Sequence, residues 1–130
     1  MISLETAKKL KEAGLEWEPK FGDYYKIPVV FEDGMTEVMD IKQVMSYHKN
    51  PEEWEESINS FVFIPRLDQL LAEIERLGWE YELRNDEAGI DYVCFVFSEG
   101  YNEYAHANTP TNAAAEALLW IYERRNQHES

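Results

Sequence analysis

The sequence predicts an α+β fold, in which an antiparallel sheet of about five strands packs against two or three helices. Apolar residues recur at helical spacing near residues 4–13, 67–77 and 110–125. Apolar and polar residues alternate over 79–84 and 101–107, as they do in strands with one buried face. Turn-forming stretches separate consecutive strands, so the strands pair antiparallel and the helices cover the sheet.

The first element is a helix over about residues 4–13. Ser3 can cap its N-terminus and Gly14 ends it. Two apolar runs follow, DYYKIPVVF and MTEVMDI, and they flank an Asp-Gly turn at 32–34. This arrangement predicts a β-hairpin, with Pro28 marking an edge position or a bulge.

The stretch FVFIPRLDQLLAEIERLGW predicts the clearest helix, which ends at Gly78. Three strands are predicted next: WEYELR, then the central and almost wholly apolar IDYVCFVF, then YNEYAHA. NDEAG forms the turn between the first two of these strands.

The last helix is predicted from Pro110 to about Arg125, with Thr109 as its N-cap. The whole of 1–130 is predicted to form a single domain, in which 127–130 is a frayed tail. Residues 42–60 are predicted to be loosely structured, with a short helix around Trp54. Residues on the apolar faces of the predicted elements are expected to be buried together: Leu70, Ile74, Val93, Phe95 and Leu118.

Charge is the strongest signal in the composition. Twenty-six acidic residues face twelve basic ones, which gives a formal net charge of −14. Such a surface repels nucleic-acid phosphates and anionic membranes, and no apolar run reaches the roughly 18 residues of a membrane helix. We therefore expect a cytoplasmic protein that binds neither nucleic acid nor membrane directly. A partner protein with a basic surface would complement the charge.

Catalytic chemistry finds little support in the sequence. No phosphate-binding glycine motif and no zinc-protease motif occurs, and the three histidines are far apart. The single cysteine, Cys94, lies in an apolar run and is expected to be a buried, unreactive thiol. We predict no catalytic residue, no cofactor and no metal ion, and hence a protein that is not an enzyme.

Two binding sites are candidates. The first is the junction of the last strand and helix, where aromatic and polar side chains precede a helix N-terminus that suits an anion. Its residues are Tyr101, Asn102, Tyr104, His106 and Thr109. The second is an acidic cluster that would meet a basic partner, formed by Glu52, Glu53, Glu55 and Glu56. A structural edge strand and a merely solubilising acidic face are the alternatives to these two sites.

The last helix is apolar on more than one side, and YNEYAHA is a candidate free edge. These features predict a homodimer, with Tyr104, Trp120 or Tyr122 at the contact. A contact of Trp120 within its own chain is the competing interpretation.

The segments LETAKKLKEAGLEWEP, FIPRLDQLLAEIERLGW and TPTNAAAEALLWIYERR resemble a group of small phage and prophage proteins of Firmicutes. The last third is also similar, more loosely, to phage ABA-sandwich domains, in which a strand leads into an alanine-rich helix that begins with Thr-Pro. The resemblance implies a location in a bacterial host cell and supplies no catalytic residues. With the charge, it suggests a binding protein that inhibits a host defence or nucleic-acid-binding protein; a small-molecule or nucleotide-signal binding protein is the alternative.

Overall fold

The computed structural model describes residues 2–17, 22–26, 28–30, 36–38, 42–43, 62–86, 88–89 and 91–128. Its elements, in chain order, are α1 (Leu4–Ala13), β1 (Tyr24–Lys26), β2 (Pro28–Val30), β3 (Thr36–Val38), β4 (Lys42–Gln43), β5 (Val62–Ile64), α2 (Leu67–Arg76), β6 (Glu80–Asn85), β7 (Tyr92–Ser98), β8 (Tyr101–Ala107) and α3 (Pro110–His128). The α+β class and the antiparallel pairing are confirmed.

The strands form three small sheets, with orders β4-β1-β5, β2-β3 and β6-β7-β8. The last of these, which we call the C-terminal sheet, has the longest strands, and β7 lies at its centre as predicted. Strand β8 is an edge strand, because it pairs with β7 alone among the described strands. None of the helices in the described ranges is long and apolar enough to cross a membrane.

The run DYYKIPVVF is divided between two sheets, where the sequence suggested one strand. Strand β1 pairs with β4 and β5, whereas β2 begins at Pro28 and pairs with β3. Proline has no N–H to donate, so the ladder of β1 cannot continue through it. The predicted hairpin pairing is confirmed by the register of β2 and β3, and its turn at 32–34 lies outside the described residues.

The FVFIPRLDQLLAEIERLGW stretch begins with a strand, contrary to the predicted helix. Val62–Ile64 is strand β5, which pairs with β1, and the helix begins only at Leu67. Two effects explain the boundary. Pro65 disfavours a helical conformation for the residue before it, and Val, Phe and Ile fit the pleated surface of a sheet.

Both predicted N-caps are confirmed. The Ser3 hydroxyl accepts from the N–H of Thr6 at 3.1 Å, and the Thr109 hydroxyl accepts from the N–H of Asn112 at 3.1 Å. Gly14 ends α1 with a φ of 126°, a conformation that glycine adopts without steric cost. Helix α3 extends to His128, which includes the first two residues of the predicted tail.

The main core lies between the helices and one face of the C-terminal sheet. It contains Leu70, Ile74 and Leu118 as predicted, with Cys94 and Val96 from β7. Small residues of α3 let this helix approach the sheet closely: Ala113, Ala114, Ala115 and Ala117.

Val93 and Phe95 do not share that core, contrary to the prediction. Side chains alternate along β7, and Cys94 and Val96 already face the helices. Phe95 therefore points to the opposite face, which we call the outer face of the sheet. There its ring lies 5.9 Å from Tyr104, and the guanidinium of Arg84 lies 4.4 Å from its centroid.

A polar contact joins α2 to α3 at the margin of the core. Arg76 donates two hydrogen bonds to the carboxylate of Glu73, and the hydroxyl of Tyr122 donates to Glu73 Oε1 at 2.9 Å. The Arg76 hydrogen bonds lower the pKa of Glu73, although burial opposes the shift. Burial and the Glu73 carboxylate raise the pKa of Tyr122.

Tyr122→Phe tests this contact through the pH dependence of stability. The folded pKa of Glu73 lies below 4.5, so its contribution is complete above that value and is lost as pH falls through the folded pKa. We expect Tyr122→Phe to cost about 1 kcal/mol at pH 7 and to lose less further stability than wild type between about pH 5 and pH 3. Urea unfolding at pH 7, pH 5 and pH 3 measures the free energy of unfolding of both proteins. The exposed Tyr104→Phe is the control, and parallel pH curves for wild type and Tyr122→Phe would contradict the assignment.

Candidate functional site

Within the described ranges, strand β8 has no partner strand on the edge opposite β7. In an antiparallel edge strand, every second residue directs its N–H and C=O away from the sheet. Tyr104 is one of these residues, because its N–H donates to Oε1 of Glu103 at 3.1 Å. Asn102 and His106 share this orientation by alternation. The Glu103 carboxylate thus covers one of the outward donors.

Helix α3 provides a floor beside this edge. A stripe of its residues at spacings of four, seven, eight and eleven faces the same side of the helix: Asn112, Glu116, Leu119, Trp120 and Glu123. The neighbouring apolar stripe, which includes Ala117, Leu118 and Ile121, is occupied by the core. The helix therefore packs on the sheet with one side and leaves the second, mixed side beside β8.

Helix α1 forms the opposite wall. Ser3, Thr6 and Lys9 from its first turns face the same space as β8 residues 103–107. The cavity enclosed by β8, α3 and α1 measures about 810 Å³, and we call it the edge groove. This volume lies within the range of about 300 to 1,000 Å³ that is typical of ligand sites.

The edge groove is amphipathic and negatively charged. Trp120 supplies apolar surface on its floor, whereas Leu119 also lines the groove but is 8% exposed and belongs to the main core. Trp120 is held there by an edge-to-face contact with Trp79 at 5.4 Å. The acidic lining residues are Glu103, Glu116 and Glu123. Among the lining residues, Lys9 carries an ammonium group. Its Nζ lies 3.9 Å from Oε1 of Glu5, which is outside the groove. Three carboxylates therefore face one ammonium group.

Of the residues predicted at the strand–helix junction, the structure brings two to the groove. Tyr104 and His106 line it, and Tyr104 is 61% exposed. Tyr101 lies under the guanidinium of Arg124, 3.4 Å from the ring centroid, and Asn102 is exposed beyond the lining. The Thr109 hydroxyl accepts from the Asn112 N–H and so caps α3. This bond occupies one of the backbone donors of the predicted anion site.

The other predicted residues fall elsewhere. The acidic cluster of Glu52, Glu53, Glu55 and Glu56 lies outside the described residues, as does the short helix around Trp54. Tyr122 is 4% exposed and belongs to the chain's own core, so it offers no surface to a second copy. Trp120 is partly buried against Trp79 of its own chain. This contact agrees with the competing interpretation, in which Trp120 packs within its own chain and not against a second copy.

Sequence reasoning missed most of the groove lining. The stripe from Asn112 to Glu123 was visible as a helical spacing, but it had no obvious partner. The contribution of α1 comes from sequence about a hundred residues away, which only tertiary packing brings to β8. The net charge predicts an acidic surface in general, but nothing in the sequence distinguishes the three groove carboxylates from the other acidic residues.

Cys94 behaves as a structural residue. Its side chain is fully buried, and burial raises the pKa of the thiol to about 11. The thiol is therefore protonated at neutral pH and has no access to solvent, as predicted from its apolar surroundings.

Comparison with protein-family models, with curated proteins and with solved structures gives no match for this chain. The resemblance to phage proteins therefore stays a prediction. What the chain binds is inferred from the geometry and the charge of the edge groove.

Proposed function

We propose that the chain is a non-enzymatic binding protein that accepts an extended, basic segment of a partner protein in the edge groove. The segment pairs with β8 as a fourth strand of the C-terminal sheet. The observation that carries the proposal is a ligand-sized cavity that has an open strand edge as one of its walls. Strand addition of this kind obtains affinity from main-chain hydrogen bonds and specificity from alternate side chains.

The floor of the groove defines the preferred side chains. Alternate residues of an added strand point to α3, where the partly exposed Trp120 favours an apolar residue. Lysine or arginine on the same side reaches Glu116 and Glu123, which are exposed and spaced at seven residues along α3. A basic segment also complements the net charge of −14, which accelerates its association.

The same charges disfavour two other occupants. The groove carboxylates repel the phosphates of a nucleotide, so the nucleotide-signal alternative lacks the arginine or lysine cluster that it requires. A second copy pairing through its own β8 would bring two chains of charge −14 together. The predicted homodimer is therefore proposed as a weaker competitor of the basic segment at the same edge.

Glu103 controls access to the edge. Its carboxylate accepts from the Tyr104 N–H, and an incoming strand has to replace this bond with one of its own. A charged side chain over an edge donor protects an isolated sheet from unselective pairing. A basic segment can displace it more readily than an acidic one, because the freed carboxylate then faces a cation.

The test uses the synthetic peptide Ac-Lys-Thr-Val-Thr-Lys-Thr-Lys-NH2, matched in length to the seven residues of β8. Its alternate positions place three lysines and the valine on one side of the added strand, and the threonines on the other. Fluorescence anisotropy measures its affinity, and amide NMR shifts report the site. We expect shifts at Tyr104 and His106, with no binding of the same peptide in which Glu replaces Lys. N-methylation of the amides that face β8 should abolish the interaction, because it removes the main-chain donors.

A matched pair of double variants separates the groove from general charge attraction. Glu116→Gln with Glu123→Gln should weaken peptide binding about fivefold to tenfold. Glu75→Gln with Glu80→Gln removes the same charge from exposed positions outside the groove and should change affinity by less than about twofold. Equal losses in the two double variants, or full binding of the N-methylated peptide, would refute strand addition in the edge groove.

A further inference from the structure

We propose that Asp86, Asp91 and His106 form a site for a divalent transition-metal ion, of which Zn²⁺ is the best-fitting example. The three residues lie at one end of three adjacent strands of the C-terminal sheet. Asp86 directly follows β6, Asp91 directly precedes β7, and His106 is in β8. One ligand atom from each lies within 4.8 Å of those of the other two.

The strand register produces this convergence. Val93 of β7 lies opposite Arg84 of β6 and opposite His106 of β8. Asp86 is two residues after Arg84 and Asp91 two residues before Val93, so both aspartates belong to the outer face, where His106 also points. Three ligand residues, two carboxylates and one imidazole, thus meet at one end of one sheet face.

The distances suit a site that closes around an ion. His106 Nε2 lies 3.2 Å from Asp86 Oδ2, and Nδ1 of the same ring lies 3.8 Å from Asp91 Oδ2. Ligand atoms bound to one Zn²⁺ at about 2.0 to 2.2 Å are themselves about 3 to 4 Å apart. The two distances involve different ring nitrogens, and only one of them can bind a given ion. With one atom from each residue, the three lie within 4.8 Å of one another, so rotation of the imidazole and of a carboxylate has to bring them closer together around the ion.

The two aspartates are held by the backbone of the β6–β7 turn. The Asp86 N–H donates to the Asp91 carbonyl at 2.9 Å, and the Gly89 N–H donates to the Asp86 carbonyl at 3.0 Å. Gly89 has a φ of 71°, which lets the chain reverse within a few residues. A site on hydrogen-bonded strand ends keeps its geometry better than one on a long loop.

Charge and ligand chemistry favour a transition-metal ion over Mg²⁺ or Ca²⁺. Two carboxylates lie together here in a chain of net charge −14. Arg84, two residues from Asp86, donates instead to Glu82 at 3.2 Å. An imidazole with two carboxylates suits Zn²⁺, Mn²⁺ or Co²⁺, whereas Mg²⁺ and Ca²⁺ prefer oxygen ligands alone. Three protein ligands leave a further coordination position for water or another donor.

The test titrates Zn²⁺ and Co²⁺ into the full chain after treatment with a chelator. We expect uptake of one equivalent, visible absorption bands for bound Co²⁺, and a thermal unfolding midpoint that rises with Zn²⁺ concentration. Excess Mg²⁺ should not displace the Zn²⁺. Absence of saturable uptake at one equivalent, or displacement by Mg²⁺ at matched concentration, would overturn the assignment.

Single variants locate the ion. His106→Gln should weaken Zn²⁺ binding at least about tenfold, and Asp86→Asn and Asp91→Asn should weaken it similarly. His106 is a partly exposed edge residue, so its replacement leaves the fold intact, which circular dichroism checks. His128→Gln is the control, since it removes a histidine from the far end of α3. Wild-type affinity in His106→Gln, or an equal loss in His128→Gln, would show that the ion binds elsewhere. Peptide binding in the edge groove is measured separately in metal-free protein, so the two proposals fail independently.

Discussion

Replacing Leu70 by alanine is expected to lower the free energy of unfolding by about 2 to 5 kcal/mol. Leu70 is 0% exposed and lies on the face of α2 that packs into the main core with Ile74. Alanine removes the buried methyl groups and leaves a cavity, because α2 and α3 can only partly close around it. Urea unfolding followed by circular dichroism measures the change from the shift of the midpoint at constant slope.

Leu71→Ala is the matched control, one residue further along the same helix. Leu71 is only partly buried, and leucine and alanine have similar helix propensities, so the comparison reports burial rather than helix formation. We expect Leu71→Ala to cost about 1 kcal/mol. If the two variants were equally destabilised, the register of α2 against the core would be wrong.

Local chemistry made the ends of two helices predictable. Ser3 and Thr109 each satisfy a backbone donor within three residues, so their role as caps depends on no distant contact. The alternation of WEYELR and YNEYAHA was equally legible, because β6 and β8 each have one face toward the helices. The identity of β7 as the central strand followed from its nearly continuous apolar sequence.

The strand β5 shows where such reasoning fails. Val62–Ile64 is short and apolar, and it precedes a strongly periodic helix with no turn other than Pro65. A three-residue run carries too little periodicity to distinguish a strand from the first turn of a helix. Its assignment depends on pairing with β1, which lies almost forty residues earlier in the chain.

The sequence did not predict the edge groove or the metal site, and the reason differs between the two. In the edge groove, the stripe on α3 is readable but the opposing wall, α1, is placed by packing through the whole core. In the metal site, Asp86 and Asp91 are close in sequence, but His106 joins them only through the register of β7 and β8. Register is set by cross-strand packing and turn geometry, neither of which single residues reveal.

Asp23 is a buried charge that connects three segments. Its carboxylate accepts from Trp17 Nε1 at 3.0 Å and from Gln69 Nε2 at 2.8 Å, and Arg66 Nη1 lies 3.5 Å away. Trp17 in turn stacks on Phe63 of β5 at 5.3 Å. The carboxylate therefore joins the loop after α1 to the start of β1 and the first turn of α2.

We expect Asp23→Ala to cost about 2 to 4 kcal/mol, because it leaves the partly buried indole and amide donors without the carboxylate that accepts from them. The Arg66 contact adds little to this figure, since its side chain is 38% exposed and the ion pair is screened by water. Urea unfolding measures the loss. Trp17 should also become more mobile once its hydrogen bond is lost, which quenching of tryptophan fluorescence by acrylamide reports.

Asp68→Ala is the matched control, because Asp68 also lies near Arg66, with 3.3 Å between its Oδ1 and Arg66 Nε, but is 73% exposed. Its removal loses a surface pair and a favourable charge in the first turn of α2, which together cost at most about 1 kcal/mol. The difference between the two aspartates isolates the effect of burial. If Asp23→Ala were as mild as Asp68→Ala, the carboxylate would be solvated in solution, and other contacts would hold the segments together, such as the Arg66 Nη1 hydrogen bond to the Gly22 carbonyl at 3.0 Å.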